Sequence, residues 1–202
     1  MSEHYYTENP TSESRPAEAV FTYRSHELRL TTDSGVFSRG ELDAGTRILL
    51  NALPERLSGS VLDLGCGWGP VGICVAQENP DCRITFSDIN LRALELARQN
   101  AQKYGVQGTF IHSDGFASID GVFDAVITNP PIRAGKQTIY QMFSDSAAHL
   151  LPGGALYLVI RKQQGAPSAL KYLETVFPSV RTVDKSGGYW VICCRKEKEN
   201  EV

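Results

Sequence analysis

Ser60-Val61-Leu62-Asp63-Leu64-Gly65-Cys66-Gly67-Trp68-Gly69-Pro70 is the stretch on which the reading of this chain turns. It begins as a short apolar strand, turns through three alternating glycines, and enters a helix over 71–78 through Pro70. Proline suits the first turn of a helix, where its missing N–H would have no partner anyway. Strand, glycine turn and helix in direct succession are the opening unit of a layered α/β domain.

Outward from this unit the same alternation continues. Toward the C-terminus the pattern predicts a strand over 83–87, a helix over 90–104 and strands over 109–112 and 123–128. A helix over 136–150, a strand over 154–160 and a helix over 166–177 follow. Two final strands, 180–184 and 189–195, are joined by Lys185-Ser186-Gly187-Gly188. That connection is too short for a parallel crossover, so the last strand must run antiparallel. The expected fold is therefore α/β and doubly wound, a mostly parallel seven-stranded sheet with one antiparallel strand, Rossmann-like in layout. Toward the N-terminus, 19–23 and 27–30 alternate weakly and predict a hairpin, followed by the loop Gly35-Val36-Phe37-Ser38-Arg39-Gly40 and a helix over 43–53 that stops at Pro54. The expected organisation is a mobile lead-in over 1–18, one domain over 19–196 with the hairpin, loop and helix in 19–55, and a tail over 197–202.

Composition bounds the function classes. The chain has 202 residues, 42% hydrophobic and 21% charged, which is enough for one ordinary globular core. Its longest strongly apolar run, residues 155–160, is far too short to span a bilayer. The polar, acidic first residues carry no apolar secretion signal. Five cysteines (Cys66, Cys74, Cys82, Cys193 and Cys194) show no metal spacing; no metal, no membrane and a reducing cytoplasm are expected. The net charge is −3, but it is unevenly spread. Residues 131–202 carry ten Lys or Arg against six Asp or Glu, and residues 1–130 carry ten against seventeen. Such a gradient can steer a phosphate backbone to one face.

The glycine turn should lie where the strand order reverses, the usual ligand edge of an open α/β sheet. A dinucleotide fingerprint would want Gly or Ala at position 70, and Pro70 counts against a pyrophosphate there. Three acids sit at the ends of three consecutive strands. Asp63 is placed to face an amino-acid ammonium. Asp88, nineteen residues past Gly69, is placed to bind ribose hydroxyls. Asp114 is placed to accept from an adenine amine. A ligand with an amino acid, a ribose and an adenine but no phosphate is S-adenosylmethionine. Gly65, Cys66, Gly67, Ile89 and Gly115 complete the expected cofactor wall.

The fourth strand of the alternation runs into Asn129-Pro130-Pro131-Ile132. An exocyclic amine on an aromatic ring is a poor nucleophile because its lone pair is delocalised. The Asn129 oxygen and the Pro130 carbonyl can accept its two N–H groups, freeing the lone pair and stabilising the charge that develops on nitrogen. Pro131 stiffens the carbonyl's setting and offers no competing donor.

These residues carry two resemblances. VLDLGCGWGP resembles motif I of class I methyltransferases, with Asp88 and Asp114 at its ribose and adenine acids. Asn129-Pro130-Pro131-Ile132 resembles the [N/D]-P-P-[F/Y/W] motif of nitrogen-directed methyltransferases, with Ile132 in place of the aromatic that stacks on the target. Phe37 is a candidate replacement for that aromatic. Beyond the motifs, GVFSRGELDAGTRILL (35–50) and NPPIRAGKQTIY (129–140) closely resemble the "methyltransferase small" family, which includes the catalytic half of small-subunit ribosomal RNA guanine-N2 methyltransferase C and its single-domain relatives. The resemblance implies cofactor contacts for Phe37 and Arg39, and an acceptor in RNA, guanine N2 of small-subunit ribosomal RNA; Asn129, after the strand that neighbours the first, is expected beside the sulfonium methyl and so also at the cofactor. Arg133, Lys136, Arg161 and Lys162 are then expected to contact RNA phosphates. The competing readings are protein glutamine N5-methylation, which uses the same Asn-Pro-Pro chemistry, and a non-catalytic cofactor- and RNA-binding scaffold.

Overall fold

The computed structural model describes Glu8 and residues 10–198. A two-stranded hairpin, β1 (Ala17–Tyr23) and β2 (His26–Thr32), precedes helix α1 (Ala44–Ala52). The main sheet is built from β3 (Ser60–Leu64), β4 (Arg83–Asp88), β5 (Gly108–His112), β6 (Phe123–Thr128), β7 (Leu150–Arg161), β8 (Ser179–Ser186) and β9 (Tyr189–Arg195). Between them lie α2 (Pro70–Glu78), α3 (Leu91–Lys103), α4 (Lys136–Ala148) and α5 (Ala166–Val176). The sheet order is β5-β4-β3-β6-β7-β9-β8. All neighbours are parallel except β9, which is antiparallel to both β7 and β8. The seven-stranded doubly wound fold read from the sequence is the observed one.

Burial explains the layers. Val61–Leu64, Ala125–Thr128 and Ala155–Ile160 are buried on both faces, as continuous apolar runs in a parallel sheet must be. One apolar core lies between the sheet and α2, α3 and the hairpin, and includes Ile73, Phe86 and Ala97. The other lies under α4 and α5 and includes Phe143, Leu156 and Leu173. The hairpin buries one face of strict alternation, Ala19, Phe21 and Tyr23 with Leu28, Leu30 and Thr32. A lone hairpin is marginal in water; this one is tied down by Asn100 of α3, whose side chain accepts from Thr31 N at 2.8 Å and donates to Thr31 O at 2.9 Å.

Most element ends shift by one or a few residues from the sequence reading, and three differences have a clear physical reason. The connection between β8 and β9 is two residues, Gly187-Gly188, both at positive φ, which is what a tight primed hairpin turn requires. Helix α4 ends at Ala148 rather than 150, and β7 begins at Leu150 rather than 154. Pro152 is accommodated there because the β6–β7 pairing jumps from Phe123–Leu150 to Ala125–Ala155, leaving residues 151–154 without a partner on β6. The mobile lead-in through residue 18 is also not met over its described part. Ala17 and Glu18 belong to β1, Ser14 donates to Asp33 at 2.7 Å, and Arg92 donates to the carbonyls of Pro10 and Ser12 at 3.3 and 2.9 Å. Residues 1–7, 9 and 199–202 lie outside the described residues.

Candidate active site

The strand order reverses between β3, which is followed outward by β4, and β6, on its other side. Over that edge opens a cavity of about 490 Å³, of the size that small-molecule and cofactor sites occupy. Its floor is the β3–α2 loop. Gly65 and Gly67 adopt φ of +71° and +56°, and a Cβ built on either would meet no atom within 4 Å. The main chain is therefore bare toward the cavity. Trp68, between Gly67 and Gly69, also borders the cavity, with its side chain buried. Its ring meets Phe21 edge-on at 6.3 Å and its indole N–H donates to the Phe37 carbonyl at 2.9 Å. The loop over 35–40 is thereby fastened above the glycine turn, and Phe37 lines the cavity.

The three strand-end acids share the cavity wall. Asp63 is 2% exposed and accepts from Gly72 N at 2.8 Å. Burial pushes its carboxyl up to about 7, Asp88 adds to the rise, and the Gly72 N–H opposes it. Asp88 accepts from Gly67 N and Asn90 N, both at 2.8 Å; burial raises its carboxyl, against the pull of those donors. The Ser87 hydroxyl, also on the wall, is buried without a hydrogen-bond partner among the described residues. Buried polar atoms are rarely left unpaired, so the wall holds an acceptor and donor set for a polar ligand. Cys66 lines the cavity as a neutral thiol, pushed well up by burial and by both acids. Bare glycines, an unpaired hydroxyl and a row of acids fit an amino acid linked to an adenosine and offer no anion cradle for a diphosphate.

Asn129 lines the same cavity. Thr128 is paired with Leu64 in the β6–β3 ladder and donates its hydroxyl to Leu64 O at 2.8 Å; this sets Asn129 beside Gly65. The Asn129 amide nitrogen donates to Asp43 Oδ2 at 3.1 Å and to Thr46 Oγ1 at 3.0 Å. Asp43 is also the N-cap of α1, accepting from Thr46 N at 3.0 Å. Both N–H groups of the amide are thus consumed by the first turn of α1, and its oxygen is left as an acceptor.

Most of the expected site residues converge on this cavity. Phe37, Asp63, Gly65, Cys66, Gly67, Asp88, Ile89, Asp114, Gly115, Asn129, Pro130, Pro131 and Ile132 line it, and so do Arg133 and Arg161. Arg39 does not; its guanidinium donates to the Arg15 carbonyl at 2.8 Å. Lys136 lines a smaller adjoining cavity of about 160 Å³ instead, and Lys162 lines neither. Asp43, Thr46, Trp68, Ser87 and Tyr189 also line or support the site, and sequence reasoning missed their roles. For Asp43 the visible signal was a helix start, which does not disclose a second hydrogen-bond partner 86 positions away. Among the described residues no group of His, Cys, Asp and Glu could hold a metal ion, and no helix is long and apolar enough to cross a membrane.

Comparison with known proteins agrees with this geometry. The profile of the methyltransferase small domain family matches residues 27–193. The Bacillus subtilis (strain 168) uncharacterized protein YbxB is 43% identical over 200 residues, covering 97% of this chain and all of that one. The ribosomal RNA small subunit methyltransferase C of Mannheimia succiniciproducens is 39% identical over 145 residues, 68% of this chain but 44% of that protein. Among solved structures, the T. thermophilus 16S rRNA N2 guanine methyltransferase RsmC, in complex with AdoMet and guanosine, superposes with a TM-score of 0.81 at 26% identity. That match covers 93% of this chain and 52% of the other, so the chain spans about half the length of the ribosomal RNA methyltransferases it resembles.

Proposed function

The chain belongs to the methyltransferase small domain family and is an S-adenosylmethionine-dependent methyltransferase, and we propose that its acceptor is the exocyclic N2 of a guanine in small-subunit ribosomal RNA. The observation that carries this reading is the clamp on Asn129. With both amide N–H groups taken by Asp43 and Thr46, only the side-chain oxygen can face an incoming group, and it can receive an N–H but not donate one. An amine presented there gives one N–H to Asn129 and a second to the neighbouring Pro130 carbonyl. Its lone pair is then withdrawn from the ring and aimed along the cavity. The cofactor, when bound, supplies an electrophilic methyl on a sulfonium centre.

Gly65, Gly67, Ser87, Asp63, Asp88 and Asp114 bind and orient that cofactor in this reading. Asn129 and Pro130 hold the nucleophile in line and stabilise positive charge on nitrogen before its proton departs. No strong base is required, because a methylated aryl ammonium is acidic. Arg133 at the cavity wall and Lys136 on the adjoining cavity provide cations for the RNA backbone, with Lys162, directly after β7, as a third. A paired guanine must be unpaired or flipped out to reach Asn129. A cytoplasmic location goes with a ribosomal RNA acceptor in this reading.

The same Asn-Pro-Pro chemistry would serve a glutamine side-chain amide, and one experiment separates the two. Nucleosides from the small-subunit ribosomal RNA of cells with and without the gene are quantified by mass spectrometry. Loss of one N2-methylguanosine on deletion supports the reading. An unchanged nucleoside profile with loss of methylation on a protein glutamine replaces it with the alternative.

A further inference from the structure

The Asn-Pro-Pro motif cannot by itself distinguish guanine N2 from adenine N6, since either amine offers two N–H groups. We propose that Arg161, braced on the ring of Tyr189, is the specificity-determining residue that reads the O6/N7 edge of the guanine whose N2 lies at Asn129. This rests on the guanine-N2 reading above.

The placement follows from strand register. In the β6–β7 ladder Thr128 lies opposite Leu158, so Asn129 is level with Val159 and Arg161 stands two residues further toward the cavity edge. One strand spacing sideways and two residue rises along gives about 8 Å between the two main-chain positions. That is roughly the reach needed to hold opposite edges of one purine.

The side chains bear this out. Arg161 pairs with Tyr189 across β7 and β9, its guanidinium lies 5.6 Å from the centre of the Tyr189 ring, and both residues share the cavity with Asn129. Tyr189 is in turn seated on α1. A Cβ on Gly45 would come within 3.0 Å of the Tyr189 ring, so the absence of a side chain at 45 lets the ring lie against the helix. Gly45 stands between Asp43 and Thr46, the two residues that hold the Asn129 amide. One turn of α1 therefore registers both the amine-holding oxygen and the aromatic that braces the arginine.

Arg161 is a better base reader than phosphate contact. Among the described residues it forms no ion pair with a carboxylate, and it lies against a ring on the cavity wall. A guanidinium is planar and donor-only, which matches the two adjacent acceptors O6 and N7 of guanine. Adenine presents a donor, its N6 amine, beside N7, and sets donor against donor. The pair Tyr189–Arg161 thus supplies the choice of base that Asn129 and Pro130 cannot.

The test is nucleoside binding to the full chain saturated with S-adenosylhomocysteine, followed by saturation-transfer NMR at up to millimolar concentrations. Guanosine is compared with 2-aminopurine riboside, which keeps N2 but lacks O6, and with inosine, which keeps O6 but lacks N2. The wild-type chain should favour guanosine over 2-aminopurine riboside by about tenfold or more. Arg161→Ala should reduce that ratio to within about threefold, Tyr189→Leu should reduce it partly, and Tyr189→Phe should keep it. Undiminished S-adenosylhomocysteine affinity shows that each variant is folded. Equal binding of guanosine and 2-aminopurine riboside by the wild type, or an unchanged ratio in Arg161→Ala, overturns the role of Arg161 while leaving the guanine-N2 reading intact. No guanosine binding, or no preference for guanosine over inosine, overturns the guanine-N2 reading and this inference with it.

Discussion

Asn129, the residue that follows β6, donates its amide nitrogen to Asp43 Oδ2 at 3.1 Å, and the same oxygen caps α1 by accepting from Thr46 N at 3.0 Å. One carboxylate oxygen thus serves both the folding of a helix and the orientation of the residue we place at the reacting amine. Thr46 adds a second acceptor at 3.0 Å. An amide that could flip would present a donor to the substrate amine half the time; this arrangement fixes the oxygen outward.

The clamp predicts a separation between turnover and binding. Asn129→Ala should lower kcat by about 10²–10³, the usual cost of losing one preorganised contact to the transition state. Thr46→Val keeps the Asp43 cap but removes one acceptor, and should lower kcat by about three- to tenfold with cofactor affinity unchanged. Asp43→Ala should cost more, including about 1 kcal/mol of stability from the lost cap. In an Asn129→Ala background the kinetic effect of Thr46→Val should vanish, because the two act through one group. Additive losses in the double variant would show that Thr46 acts elsewhere.

Trp68 gives a second separable effect. Trp68→Phe retains an aromatic ring against Phe21 but removes the donor to the Phe37 carbonyl. Losing a part-buried hydrogen bond should cost about 1 kcal/mol in urea denaturation. Cofactor affinity should fall several-fold as the loop over 35–40 loses its tether. If stability falls and cofactor affinity does not, that loop takes no part in binding.

The pH dependence has a definite sign. Asp63 is pushed up to about 7 by burial, whereas the unfolded chain titrates it near about 3.9. Between those values the native state holds a proton that the unfolded state has lost, so Asp63 makes stability fall as pH rises through that window, with the penalty fully developed above about 7. A ligand ammonium favours the ionised carboxyl. Binding of S-adenosylhomocysteine should therefore release protons, strengthen as pH rises toward 7 and level off above it, by at most about tenfold per unit. Calorimetry in buffers of different ionisation enthalpy reads the protons released. Asp63→Asn should flatten the profile. An affinity for the wild type that is flat between pH 6 and 8 would remove Asp63 from the ammonium contact.

What could be read from the chain itself was whatever depends on local sequence or on burial of both strand faces. The apolar runs of β3, β6 and β7 and the glycine turn closed by Pro70 are of this kind, as are the acids at the ends of β3 and β4. Residues whose role depends on a distant partner were opaque. Asp43 reads as a helix start, Tyr189 as the first residue of a terminal strand, and Arg39 as a cofactor contact, although it is tied to the Arg15 carbonyl. Pro152 and Gly153 fall between the helix expected over 136–150 and the strand expected over 154–160, because nothing local discloses that β7 already begins at Leu150 and that β6 leaves residues 151–154 without a partner. The segment over 10–16 looks like a polar tail until Asp33 and Arg92 fold back to hold it.

The measurement that bears most directly on the central claim is transfer of labelled methyl from S-adenosylmethionine to defined acceptors in vitro. Small ribosomal subunits, free ribosomal RNA, transfer RNA and a protein lysate, all from cells lacking the gene, are offered separately to the wild-type chain and to Asn129→Ala. The account predicts label recovered as N2-methylguanosine from small-subunit RNA, falling steeply with added salt as phosphate contacts are screened, and lost in the Asn129 variant. Label recovered only as methylated glutamine in the protein fraction, or transfer to RNA that persists undiminished in Asn129→Ala, would contradict it.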